Sequence, residues 1–306
     1  TEGTPPTGAT VGAVIGGGIM AFEIYVVQTR VGRGFRRLPI SLLIALTTIV
    51  WLAIIALGLH LVPTLLHGDA YGPDYLQTTF SQDLAFSFLI AFFLNSGLRV
   101  RTLVGARVLG NFLFGRYYRP LREDRVFMFL DLVDSTGIAE RLGDVQAQSL
   151  IAEFFFDIAA PIATHRGETH RYIGDEIVVT WPQTEAKRDG RFLACVLDIE
   201  RTIQRRAPWY QRRFGVVPAF RAGLHGGTVV ASEVGDRKRE IVYFGDTINT
   251  AARIVAMCKT LNERLLVTDT LLEDTSRPAG LRVRSLGAHA LAGKEQTVAL
   301  SAVELP

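Results

Sequence analysis

The sequence predicts an α+β fold, helices packed on one sheet, preceded by an α-helical membrane domain. Three observations predict it. Residues 1–98 are rich in Leu, Ile, Ala, Val and Phe and poor in charge, whereas the remainder has an ordinary globular composition with many Arg. The run Leu38–Leu66 carries no formal charge apart from a protonatable His60, and it is long enough to cross a bilayer with some tilt. After Val126, short apolar strand patterns alternate with helical ones.

Two further apolar runs flank the central one. Val11–Val27 is Gly-rich and interrupted by Glu23, and Leu84–Leu98 is short unless it extends through Ser81–Asp83 or Val100. Arg30, Arg33, Arg36 and Arg37 lie between the first two runs. Asp69 and Asp74, with no Lys or Arg, lie between the second and third, and Arg99, Arg101, Arg107, Arg116 and Arg119 follow. The positive-inside rule then places the first loop and everything after Leu98 in the cytoplasm of a multi-pass cell-membrane protein, with residue 1 outside. A lipid bilayer is therefore an expected partner. Nucleic acid is not, because the small net charge of +3 comes from basic residues placed as membrane flanks. Glu23 is either a functional intramembrane residue or one that snorkels to the interface. Cys195 and Cys258 read as reduced, buried core residues with no metal or thiol chemistry.

Residues 99–122 form the connection. Leu103, Val104, Val108, Phe112 and Leu113 recur at helical spacing between Arg residues, which reads as an amphipathic coupling helix over Leu98–Tyr118. The soluble domain, residues 123–306, opens on a strand at Val126–Asp131. A long helix follows, with Ile151, Phe154, Phe155, Ile158 and Ile162 on one face. Gly167 turns the chain into a hairpin with arms Thr169–Ile173 and Ile177–Trp181 and Gly174-Asp175 at its tip. Next come a helix over Lys187–Gln204, strands at Ala219–Leu224, Thr228–Val234 and Glu240–Phe244, and a helix over Asp246–Thr260. Short strands and a helix finish the chain.

The chemistry lies in three segments. Phe129-Leu-Asp-Leu-Val-Asp-Ser-Thr136 and Tyr172-Ile-Gly-Asp175 each bring a carboxylate to a turn at the end of an apolar strand. Two hard cations can be held that way over a polyphosphate, which supplies the remaining oxygens. Ser135 and Thr136 open a helical pattern, so its free N–H groups face a phosphate tail. In Tyr243-Phe-Gly-Asp-Thr-Ile-Asn-Thr-Ala-Ala-Arg253, Asn249 and Arg253 are four residues apart after a Gly-Asp turn. That spacing sets an amide and a guanidinium on one helix face. Together with Arg221-Ala-Gly-Leu-His225-Gly-Gly227, these segments resemble the class III nucleotidyl (adenylate/guanylate) cyclase family, from Val126 to the C-terminus.

The resemblance implies a ferredoxin-like βαββαβ catalytic core and an enzyme that closes a nucleoside triphosphate into a cyclic monophosphate. It implies two Mg²⁺ (or Mn²⁺) per site on Asp131, Asp175 and the Leu132 carbonyl, with Asn249 on the ribose and Arg253 at the α-phosphate. Asp134 stands where the family often has Gly and reads as a turn or cap in the phosphate loop with Ser135 and Thr136. Arg221 matches a phosphate-contacting Arg, and Lys294 in Leu291-Ala-Gly-Lys294 either replaces a family Lys from a shifted position or is a hairpin charge. His225 reads as structural. The metal and Asn/Arg halves are expected from opposite subunits of a homodimer. The base-reading positions hold Arg171 and Val242, where adenylate cyclases commonly carry Lys and Asp or Thr. Val242 accepts no hydrogen bond and Arg171 only donates. ATP is the favoured substrate; a pyrimidine nucleotide, or a degenerate regulator that binds without turnover, stays open.

Overall fold

The computed structural model describes residues 5–27, 38–67, 80–237, 239–294 and 296–304. The chain divides into two compact units, Thr1–Phe114 and Gly115–Pro306. The loop charges Arg30, Arg33, Arg36, Arg37, Asp69 and Asp74 lie outside the described residues.

In the first unit, α1 (Pro5–Ala21) continues through a widened π turn, Phe22–Val27. α2 (Ile40–His67), α3 (Phe80–Val104) and the short α4 (Ala106–Leu113) follow. The segments Gly8–Val27, Ile40–Leu66 and Phe80–Arg101 are long and apolar enough to cross a membrane, where a helix satisfies every backbone group internally. Trp51, Ile55 and Ala91 pack with Ile15, Ile19, Phe22 and Leu59. One turn further along, the buried Asn95 amide donates to Thr47 Oγ1 at 2.7 Å and Thr48 Oγ1 at 2.9 Å.

Glu23 has a charged partner within the unit. Its carboxylate accepts from Arg99 Nη2 at 2.7 Å, and Arg99 is only 7 % exposed. Arg99, counted in the sequence as a flanking charge, is thus folded among the helices, and α3 runs beyond the predicted Leu84–Leu98 at both ends. The helical pattern over Leu98–Tyr118 is broken at Gly105, where φ is +90°. The side chains of residues 102–104, 106, 107, 112 and 113, including four of the amphipathic positions, lie outside the described residues.

The second unit contains β1 (Leu121–Leu132), α5 (Ser135–Leu142), α6 (Asp144–Thr164), β2 (Glu168–Ile173), β3 (Glu176–Pro182), α7 (Gln183–Asp189) and α8 (Arg191–Phe214). β4 (Phe220–Val234), β5 (Glu240–Phe244), α9 (Asp246–Leu261), β6 (Leu265–Thr268), α10 (Asp269–Leu272), β7 (Val283–His289) and β8 (Val298–Val303) complete it. The strands form one sheet in the order β2-β3-β1-β4-β6-β8-β7, with β5 paired to β4. β1 runs antiparallel to both β3 and β4, so the first four strands and their helices make the ferredoxin-like βαββαβ core.

β1 is covered on both faces, which is why it reads as an unbroken apolar run. Val126, Met128, Leu130 and Leu132 pack against α6 and α8 through residues such as Phe154, Ile158, Phe192 and Ile199. Phe127 and Phe129 belong to the opposite face, with Tyr243 and, from α9, Ala251 and Val255. Asp131 continues that second alternation and so shares a face with α9. Gly223 permits this closeness, because a Cβ there would strike the Val255 backbone. Cys195 and Cys258 are buried free thiols.

Three boundaries differ from the sequence-based expectation. The two strands at Ala219–Leu224 and Thr228–Val234 are one strand, β4, running straight through Gly226-Gly227. Its pairing with β1 is unbroken from Leu132↔Phe220 to Leu121↔Ala231, and the glycines make room for Leu271, Gln183 and Thr247 rather than a turn. β1 itself begins at Leu121 rather than Val126. The helix over Lys187–Gln204 is two helices that part at Gly190, against the Ser276 carbonyl. α8 then continues through Pro208 to Phe214, where Arg206 stacks on Trp209 at 4.0 Å.

Candidate active site

The carboxylates gather where β1 and the β2–β3 hairpin end. Asp131 stands opposite Glu176 of β3 on one side and Arg221 of β4 on the other. Burial, and then the adjacent Asp175 carboxylate with which it shares a hydrogen bond, push Asp131 up to about 6. Glu176 is pushed up to about 7 by burial and by Asp131 and Asp175. Arg221 acts in the opposite direction on Asp131. Among the described residues no group of three or more His, Cys, Asp or Glu is arranged to hold a metal ion. The two-carboxylate donor set nevertheless fits a divalent cation. Two half-buried acids forced into a proton-sharing contact are what a cation would relieve, and Mg²⁺ takes one or two carboxylates plus phosphate and water. Leu132 ends β1 with its side chain buried, and its carbonyl lies at the same strand end.

The loop beyond β1 shows why Gly suits this place. Asp134 has φ 58° and ψ 34°, the left-handed region that Asp tolerates better than most residues. It occupies the N-cap position of α5 without capping it: its carboxylate pairs with Arg141 at 3.2 Å instead. The cap expected of Asp134 is therefore not made by its side chain. Ser135 and Thr136 form the first turn of α5, where backbone N–H groups lack helical partners.

A second cluster sits on α9. Asn249 is exposed and makes no side-chain hydrogen bond among the described residues. One turn on, Arg253 Nη1 donates to the Gly293 carbonyl at 3.3 Å. The next residue, Lys294, sends its ammonium to Asp246 at 2.7 Å and Thr250 at 2.9 Å. This holds Asp246 below the usual carboxylate range and docks the Leu291–Lys294 loop on the start of α9. His225 bonds Thr268 Oγ1 through Nδ1 at 2.9 Å, and burial, then Lys294, hold it down at about 4. It stays neutral and engaged at physiological pH. No hydrogen bond or ion pair among the described residues links Asn249 or Arg253 to Asp131 or Asp175.

The third cluster surrounds Arg171 and Val242, the positions expected to read the base. β2 slips register between Thr169 and Arg171, so that Arg171, not His170, stands opposite Val178. Arg171 Nη2 donates to Glu240 Oε2 of β5 at 2.8 Å. Behind them Arg125, the lone charge in the buried stretch of β1, bonds Glu123 at 2.8 Å and Glu168 at 3.1 Å and lies over the Tyr243 ring. His170 stacks edge-on to Tyr243, and burial holds it at about 4. Sequence reasoning missed Arg125, Glu176 and Glu240. Arg125 carried a signal, a charge inside an apolar strand; the other two are visible only once the strands are paired.

This fold and these clusters define a class III nucleotidyl cyclase: the Adenylate and Guanylate cyclase catalytic domain matches residues 119–301, and the chain belongs to that family. It is similar to Adenylate cyclase 2 of Rhizobium meliloti (strain 1021), 37 % identical over 291 residues that cover 92 % of this chain and 78 % of that one. Adenylate cyclase 1 of the same strain is 27 % identical over 49 % of this chain and 23 % of its own length. Among solved structures, a bacterial light-regulated adenylyl cyclase has the same fold, with TM-score 0.60 and 19 % identity over 72 % of this chain and 63 % of that one. The guanylyl cyclase Cya2 shares it with TM-score 0.51 and 19 % identity over 60 % of this chain and 93 % of that one.

Proposed function

We propose that this chain is a membrane-anchored, homodimeric adenylate cyclase that converts ATP to 3′,5′-cyclic AMP and pyrophosphate. The observation that carries the reading is the coexistence of two half-sites in one chain: the Asp131/Asp175 pair on the sheet and, on α9, the exposed Asn249 with the half-buried Arg253. No hydrogen bond or ion pair links them among the described residues, and a second copy would bring one half to the other. The relative named Adenylate cyclase 2, matched over 92 % of the chain, supports ATP as substrate. The three helices long enough to span a bilayer support the anchor, with the catalytic unit cytoplasmic.

Cyclisation needs the ribose 3′-hydroxyl in line with the α-phosphorus, so the protein's work is positioning and charge stabilisation. Asp131 and Asp175, with the Leu132 carbonyl, would hold two divalent cations, which when bound neutralise the triphosphate and stabilise the attacking and leaving oxygens. The first-turn N–H groups at Ser135 and Thr136 receive phosphate oxygens. Arg221 adds positive charge beside Asp131. Asn249 orients the ribose, and Arg253 stabilises charge gathering on the α-phosphate. Lys294 pairs with Asp246, holding the Leu291–Lys294 loop, whose Gly293 carbonyl accepts from Arg253, against α9. His225 makes a weak general base, because burial and then Lys294 lower its basicity and its Nδ1 is engaged with Thr268.

The test is product analysis of the detergent-purified full chain with ATP, GTP, CTP and UTP in Mg²⁺ or Mn²⁺, beside Asp131→Ala. Cyclic AMP that vanishes in the variant is expected. A cyclic pyrimidine product would overturn the substrate, and nucleotide binding without any product would overturn the enzyme.

A further inference from the structure

We infer that Glu240, paired with Arg171, supplies the base-reading acceptor that Val242 cannot. This rests on the adenylate cyclase reading above and names the residue that would select its base. Three observations on separate strands lead to it.

The bulge in β2 comes first. Thr169 stands opposite Val179 and Arg171 opposite Val178, leaving His170 as the extra residue. Val178 belongs to the α9 face of the sheet, with Phe129, and Asp131 and Glu176 lie on that same face. The bulge therefore turns Arg171 toward the nucleotide side, a use of bulges common beside active sites. The alternation of β5 comes second. Ile241 and Tyr243 pack into the Phe127 cluster. Glu240 and Val242 consequently share the other side of the strand. Third, the Arg171–Glu240 contact of 2.8 Å joins the two strands, with both side chains still reachable by solvent at 46 % and 40 % exposure.

The chemistry then follows from donors and acceptors. Adenine presents an N6 amine donor beside the N1 acceptor. A guanidinium has five N–H donors and a carboxylate has about four acceptor positions, so each can serve several partners at once. Arg171 donates to N1 and Glu240 accepts from the N6 amine, while Val242 packs against the base. Guanine presents the reverse order, an O6 acceptor beside an N1–H donor, and would set acceptor against acceptor and donor against donor. A site built to hydrogen-bond a substrate group discriminates strongly when that group is wrong. An exposed ion pair that served the fold alone would add little stability.

The experiment compares kcat/KM for ATP and GTP in the full-length protein, its Glu240→Ala and Glu240→Gln variants, and the exchanged pair Arg171→Glu with Glu240→Arg. Glu240→Ala is expected to cut the ATP-to-GTP ratio by roughly 10- to 100-fold, the value of a charged hydrogen bond, with an unchanged melting temperature. Glu240→Gln, which keeps a carbonyl acceptor, should recover part of the ratio, and the exchanged pair should tilt it toward GTP. An unchanged ratio in Glu240→Ala would mean a surface ion pair only and would overturn the inference. Equilibrium binding of ATP and GTP to the same proteins separates the two readings. If the wild type makes no cyclic product, the cyclase reading falls, and the binding ratio still decides for or against Glu240. A wild type that binds neither nucleotide overturns both.

Discussion

Each of the two units buries an arginine, and they satisfy it differently. Arg125, 4 % exposed, bonds Glu123 and Glu168, approaches the Tyr117 hydroxyl at 3.4 Å and lies over Tyr243 at 5.1 Å. It ties β1, β2, β5 and the segment before β1 into one piece. Arg99, 7 % exposed, has Glu23 at 2.7 Å, and its Nε has no hydrogen-bond partner among the described residues; nor do Asn95 Oδ1 and Trp51 Nε1 in the same unit. The lesson concerns rigidity. A buried charge held from several directions has one arrangement. Arg99 meets Glu23 at the π turn that continues α1, and with its Nε unpartnered among the described residues it is held less completely.

The largest expected effect tests the half-sites that Arg125 helps to frame. Arg253→Ala should lower kcat by roughly 10²–10³. Co-expressed with Asp131→Ala, itself inactive, it should restore about a quarter of wild-type activity, because half of random dimers keep one complete site. Failure to complement in verified heterodimers would break the composite-site reading. Next in size, Arg125→Ala should destabilise the second unit by about 3–5 kcal/mol, since Glu123 and Glu168 lose their common partner. Denaturant titration followed by tryptophan fluorescence reads it.

The link in the first unit should be weaker and separable. Glu23→Gln is expected to cost about 1–3 kcal/mol of bundle stability, read by thermal unfolding in detergent. Replacing Glu23 and Arg99 together by apolar residues should cost less than either change alone; additive losses would show that the two residues act independently. The smallest effect is on pH dependence. His170 and His225 sit near 4 in the folded chain against an ordinary 6.5. The unfolded chain therefore binds more protons between those values, and stability present above about pH 6.5 is lost as pH falls toward 4. In His170→Phe that acid loss should shrink, and equal pH slopes in variant and wild type would show that His170 does not contribute to it.

Much of this molecule is legible in local pattern, and the reason is physical. Spacing along one helix sets Asn249 and Arg253 on one face, and an apolar run ending in Asp131 reads as a strand wherever it lies. The exceptions share a cause. Gly226-Gly227 looks like a turn until β1 is laid beside it and the pairing carries through. Asp134 looks like a cap until Arg141, on the same helix, draws its carboxylate outward.

Element type and the three apolar segments follow from short-range periodicity, while the ferredoxin-like class and the residues expected in both half-sites follow from the family resemblance that the ordered motifs carry. Glu240 beside Arg171, Arg125 at the centre of its carboxylates, Glu176 opposite Asp131 and Glu23 against Arg99 are another matter. Those partners are 69, 43, 45 and 76 residues apart, and what brings them together is strand register, a one-residue bulge and helix packing. Register and packing are settled by burying whole faces at once, a global choice that no short window of sequence contains.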